Sequence, residues 1–191
     1  MNRLPISLIL LFMLGSLMQS SSLIARSDEF ATLDLQLKQN EASLLLDGQI
    51  TFKFSKAALE ALANGLPLGV ETDITIKPVG KWYWPRAVAS IRYKLEIQYH
   101  ALSQHYLVKA IGDDYARAFL TQSSALAALG LVGDVALIDL SRLDPEDSYE
   151  VSVRSILDSE SLPVPLRPLT YLSDEWRLRS EWKRLSWPEE N

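Results

Sequence analysis

The chain has 191 residues, of which 48% are hydrophobic and 23% charged, a balance that supports a buried core and excludes a disordered or fibrous polypeptide. A net charge of −5 argues against nucleic acid as the main partner, because phosphate binding needs a concentrated cationic surface. With no cysteine, disulfides, thiolate nucleophiles, zinc–thiolate sites and a lipidated cysteine are all excluded.

In chain order, the first signal is a leader. Arg3 is followed by an apolar run of about 15 residues, Leu4 to Met18, with no acidic residue before Asp28. That length fits the hydrophobic region of a secretory signal and is short for a membrane span. Residues 1–25 are therefore read as a signal peptide or N-terminal anchor, with cleavage after Ser22 or Ala25 and export of the remaining chain. Residues 28–187 are read as one β-sandwich domain.

Period-two alternation dominates that region and predicts about nine strands. Leu33, Leu35 and Leu37 alternate with Asp34, Gln36 and Lys38. Next, "SLLLDGQITFKFS" carries a bend or bulge at Asp47-Gly48 and directs Ile50, Phe52 and Phe54 one way. Val70, Thr72, Ile74 and Ile76 share one face, as do Ile91, Tyr93, Leu95 and Ile97. "HYLVKAI", "DYARAFL", "GDVALIDL", "SYEVSVRSIL" and the tail complete the set. Two short helices interrupt it. "SKAALEALANG" has Ser55 as N-cap and Asn64-Gly65 as its stop, and "TQSSALAALG" runs from Thr121 or Ser123 to Gly130. Their Ala-Leu-x-Ala-Leu cores resemble one another, a weak internal repeat. Many short strands with two helices predict a mainly β fold, an immunoglobulin-like antiparallel β-sandwich, with a barrel as the alternative.

Between the third and fourth strands, "KWYWPR" places Trp82, Tyr83, Trp84 and Arg86 in a connection. Three adjacent aromatics cannot all face one core from extended backbone, so these residues are candidate protein contacts, the alternative being a loop that plugs the sandwich end. His100 and His105, the only histidines, flank Ser103 across a predicted hairpin. They have no third ligand for a metal and no oriented acid for a hydrolase, so exposed turn histidines are expected. "IGDDY" and "LDPEDSY" read as turns. The prolines of "LPVPLRP" predict an extended crossover between sheets. In the closing segment, Trp176, Leu178, Ser180 and Trp182 share a parity opposite Arg177, Arg179, Glu181 and Lys183, and the pattern slips beyond Lys183. This predicts a strand with a bulge or an end before Pro188; Trp182 and Trp187 join the candidate contacts.

The stretches "FKFSKAALEALANGLPL", "FLTQSSALAALG", "YEVSVRSILDSESLPVPLRP" and "SDEWRLRSEW", in this order behind a leader, resemble the bacterial exported family catalogued as domain of unknown function 4390. The resemblance implies an envelope protein of undetermined activity with no catalytic residues to carry over. The family's genes often lie beside a membrane sensor histidine kinase, which makes such a kinase a candidate partner. The basic, tryptophan-rich ending departs from the pattern. The expectation is a non-enzymatic protein-binding or accessory module with no cofactor and no metal. It would be periplasmic, or anchored to the inner membrane and facing the periplasm. The alternative is a binder of a small apolar or glycan ligand.

Overall fold

The computed structural model describes residues 30–80 and 86–188. The leader, with Trp82, Tyr83 and Trp84, lies outside the described residues. The order of elements is β1 (Ala31–Gln39), β2 (Ser43–Phe52), α1 (Lys56–Ala63), β3 (Leu68–Pro78), β4 (Ala89–His100), β5 (His105–Ala110), β6 (Arg117–Phe119), α2 (Gln122–Leu129), β7 (Leu131–Asp139), β8 (Tyr149–Asp158), α3 (Leu169–Leu172) and β9 (Lys183–Trp187).

The fold is mainly β, with antiparallel pairing throughout. One sheet has three strands in the order β1-β2-β7, the other six in the order β6-β5-β4-β3-β8-β9. Alternation places the greasy side of each sheet in a shared core. Leu44, Leu46 and Ile50 of the smaller sheet lie in the same buried cluster as Ile74, Ile97 and Val153 of the larger. Phe30, Phe52 and Phe54 close one part of it with ring centroids 5.3–5.9 Å apart. One rung breaks the apolar rule. Thr72 faces Tyr93 on one side and Ser155 on the other. The Thr72 and Ser155 hydroxyls meet at 2.8 Å, and Ser180 Oγ accepts from Ser155 N at 3.0 Å. Burial pushes the Tyr93 phenol above its ordinary pKa, opposed by its hydrogen bond to Thr72.

Both helices carry the chain between sheets, α1 from β2 to β3 and α2 from β6 back to β7. Each is capped as its sequence predicts: Ser55 Oγ accepts from Ala58 N at 3.1 Å, and Thr121 Oγ1 from Ser124 N at 3.2 Å. The equivalent pairs Ala58/Leu62 and Ala125/Leu129 are the buried faces, so the sequence likeness corresponds to the same packing task performed twice. Ser55→Ala is expected to lower stability by about 1 kcal/mol in denaturant unfolding, since it orphans a helix N–H. An unchanged midpoint would mean that the cap is idle.

At Asp47-Gly48 the bulge is present, as a register shift between β2 and β7. Gly48 has φ +136°, and a Cβ there would lie 2.2 Å from Asp34 O of β1. The "DPEDS" turn also forms, with Asp147 N bonded to Asp144 O at 3.1 Å and Glu146 N to Asp144 Oδ1 at 3.0 Å.

Two expectations need correction. "LPVPLRP" is neither extended nor a crossover. It coils into a 3₁₀ turn at Val164–Leu166, closed by Leu166 N to Pro163 O at 2.8 Å, and it connects β8 to β9 within one sheet. Proline sets φ near −65°, which suits a tight turn as well as an extended strand, so its composition did not discriminate. In the tail, the strand expected from Trp176 onward begins only at Lys183: Trp176 lies in a turn, its N bonded to Ser173 O at 3.1 Å, and Trp182 precedes the strand. The tail pairs with β8 at Ile156↔Arg179 and again at Val153↔Lys183, so three steps along β8 match four along the tail. The extra residue lies before Lys183, not beyond it, and turns Trp182 outward while Leu185 and Trp187 turn in.

Candidate functional site

The outer face of the six-stranded sheet is a ladder of opposite charges placed by register. Glu71 of β3 lies opposite Lys94 of β4, Asp73 opposite both Arg92 of β4 and Arg154 of β8, and Glu96 opposite Lys109 of β5. Arg92 Nε sits 2.9 Å from Glu71 and 2.8 Å from Asp73. Lys94 is the hub, with Nζ 3.1 Å from Glu71, 3.0 Å from Asp158 and 2.9 Å from Glu160. Glu71 and Asp158 are buried. The Glu160 carboxylate, with Asp158 and Glu71, raises the Lys94 pKa against the opposing effect of partial desolvation. Lys94 is therefore held as an ammonium.

The ladder ends in an aromatic stack, with the Arg154 guanidinium 4.4 Å from the centroid of Trp182. Trp182 is 38% exposed, Trp176 is buried, and Trp187 is half-buried against the core. Arg86 is exposed where the described chain resumes before β4. Of the three candidate contacts among the described residues, Trp182 and Trp187 lie on successive parts of the tail but on opposite faces of the sheet, and Arg86 lies before β4.

β1 and β9 are the end strands of their respective sheets, and they border two hollows. One, of about 510 Å³, is lined by Gln39, Leu140, Leu143, Pro145, Trp187 and Pro188 among others. The other, of about 350 Å³, lies between Leu35, Gln36 and Leu37 of β1 and Arg184, Leu185, Ser186 and Trp187 of β9. Trp187 lines both.

The hairpin pairs His100 directly with His105. His100 Nδ1 lies 3.0 Å from Ser103 Oγ, and His105 Nδ1 meets the Ser103 carbonyl. These contacts close the turn. Among the described residues no group of three or more His, Cys, Asp or Glu side chains is placed to hold a metal ion.

Residues 27–186 match the family described as Domain of unknown function (DUF4390). The chain belongs to this family. The match takes in the first eight strands and all of β9 except its last residue, so the charge ladder, the aromatic stack and nearly all of the β1–β9 seam fall within the DUF4390 region. No curated protein and no solved structure matches the chain. No helix among the described residues of this DUF4390 protein is long and apolar enough to cross a membrane, which says nothing of a membrane barrel.

Sequence reading missed the Lys94 hub and the Arg154–Trp182 stack. Alternating acids on β3 and bases on β4 were visible, but which strand lies beside which was not.

Proposed function

We propose that this protein is an exported, non-enzymatic module of the cell envelope that docks an extended segment of another envelope protein along the β1–β9 seam. The observation that carries this reading is Trp187, shared by two hollows, one between the end strands of the two sheets and the other at their tips, against the segment from Leu140 to Asp147. An end strand offers unpaired N–H and C=O groups to an added strand, and flanking pockets select its alternate side chains. A membrane sensor histidine kinase is the partner class favoured by the family resemblance. Export rests on the leader in residues 1–25, with the mature protein in the periplasm or tethered to the inner membrane. The scaffold itself is read as an immunoglobulin-like sandwich, supported by two facing antiparallel sheets around a common core. Trp82, Tyr83, Trp84 and Arg86 are proposed as further contacts, and Trp182 as a rim contact.

Photo-crosslinkers at Gln36 and Ser186, which line the seam, should capture the same envelope protein through one extended stretch of its sequence. A crosslinker at Arg117 on β6, at the far end of the larger sheet, should not. Equal capture from all three positions would overturn the seam as the docking site.

A second reading, a small apolar or glycan ligand, is favoured by the size of the larger hollow, which is within the range of ligand pockets at about 510 Å³. Native mass spectrometry separates the two: a retained small molecule lost in Trp187→Ala supports the ligand, and an empty protein across preparations counts against it.

A further inference from the structure

On the same outer face as the charge ladder, and away from the seam, a groove of about 250 Å³ opens between β8 and the tail. Its apolar lining includes Ile156, Trp176 and Leu178, and Arg154, Arg177 and Arg179 line it as well. The carboxylates available to these cations are few. Among the described residues the one carboxylate Arg154 reaches is Asp73, at 3.5 Å, and Asp73 is already held by Arg92 at 2.8 Å. The Nε of Arg154 is buried and has no hydrogen-bond partner among the described residues. Arg177 donates to the Tyr171 carbonyl and stands 3.7 Å from Asp174, a carboxylate that is 99% exposed. Arg179 makes no ion pair or side-chain hydrogen bond among the described residues. In a chain of net charge −5, this is a local excess of positive charge over an apolar floor.

We infer that this groove binds an oxyanion carried on an apolar stem, the chemistry of a phosphate-headed amphiphile. Guanidinium forks match the oxygens of phosphate in two-point contacts, and Arg179, with no side-chain partner among the described residues, can supply one. The floor of Ile156, Leu178 and Trp176 is matched to methylenes next to the head and has nothing to offer a fully hydrated anion. A merely solvated cationic face would need neither the concavity nor the apolar lining. The site is separate from the β1–β9 seam, so its failure would leave the docking proposal standing.

The test is calorimetric titration of the full-length chain with monomeric dihexanoyl phosphatidic acid, against the zwitterionic dihexanoyl phosphatidylcholine. The acid should bind about tenfold more tightly, and more weakly as salt rises. Arg177→Gln and Arg179→Gln should each weaken it by about tenfold and leave the melting temperature unchanged, because both side chains are exposed. Inorganic phosphate and vesicles containing anionic phospholipid are the further probes. Inorganic phosphate should bind more weakly than the acid, because it has no stem for the apolar floor, and equal affinity for phosphate overturns the inference. Binding of the monomeric acid alone, or of vesicles as well, tells whether the groove takes the head from free amphiphile or also from a bilayer surface. In either case both arginine variants must lose the interaction. Equal affinity for the acidic and zwitterionic lipids, or full affinity in both variants, overturns the inference.

Discussion

Replacing Gly130 by alanine is expected to destabilise the fold by about 3–5 kcal/mol, although the residue ends a helix in a conformation open to any side chain. Gly130 has φ −94°, so no left-handed backbone is involved. The reason is proximity. A Cβ at this position would lie 1.7 Å from the carbonyl oxygen of Ile50 and 2.8 Å from Gln49 Nε2. The contact is anchored on both sides, because Ile50 N bonds Gly130 O at 2.7 Å and Gln49 Nε2 donates to both Ile50 O and Ala127 O at 3.0 Å. To accept a methyl group, α2 must lift from β2, which breaks these bonds and loosens the packing of Ala125 and Leu129. Gly133→Ala is the matched control. No atom lies within 4 Å of a Cβ there, so its unfolding midpoint should shift by no more than about 0.5 kcal/mol equivalent. Equal losses for the two variants in denaturant unfolding would refute the close-approach argument.

The second large effect is expected from Lys94→Met, at about 3–5 kcal/mol. Methionine keeps most of the volume and removes the charge that neutralises two buried carboxylates. Among the described residues, Glu71 would retain Arg92 at 2.9 Å, and the Asp158 carboxylate would retain only its bond from Glu160 N at 3.0 Å. Exposed Glu160 adds little to this cost, because water screens it. The pH dependence gives the signature. In the native protein the Lys94 pKa is raised above its ordinary 10.5, so the ammonium's contribution is complete below pH 10.5 and declines as pH rises beyond it. Adding Asp158→Asn should recover part of the loss, as removing the whole pair leaves no buried charge unmatched. A double variant no more stable than Lys94→Met in denaturant unfolding would assign the role of Lys94 to packing alone.

Nearly all the elements were legible from the chain, because period-two alternation and capping are local properties. Val70, Thr72, Ile74 and Ile76 do face inward, and Ser55 and Thr121 do cap their helices. The closing segment shows where local reading stops. Its parity is clean from Trp176 to Lys183, yet a single extra residue, forced by pairing to β8, reverses Trp182 to the outer face. A bulge is a property of two strands, and only one of them is present in the pattern being read. The same limit applies to the prolines of "LPVPLRP", whose fixed φ is shared by turns and extended backbone.

By itself, the sequence determined the strands and helices, which side of each strand is greasy, and the export expectation, since each depends on neighbours within a few positions. Only tertiary structure decided which charges meet at Lys94, why Gly130 must lack a side chain, and that two end strands and three arginines border hollows. Those contacts join residues far apart in the chain, from Glu71 and Lys94 to Asp158, and register and sheet order place them together.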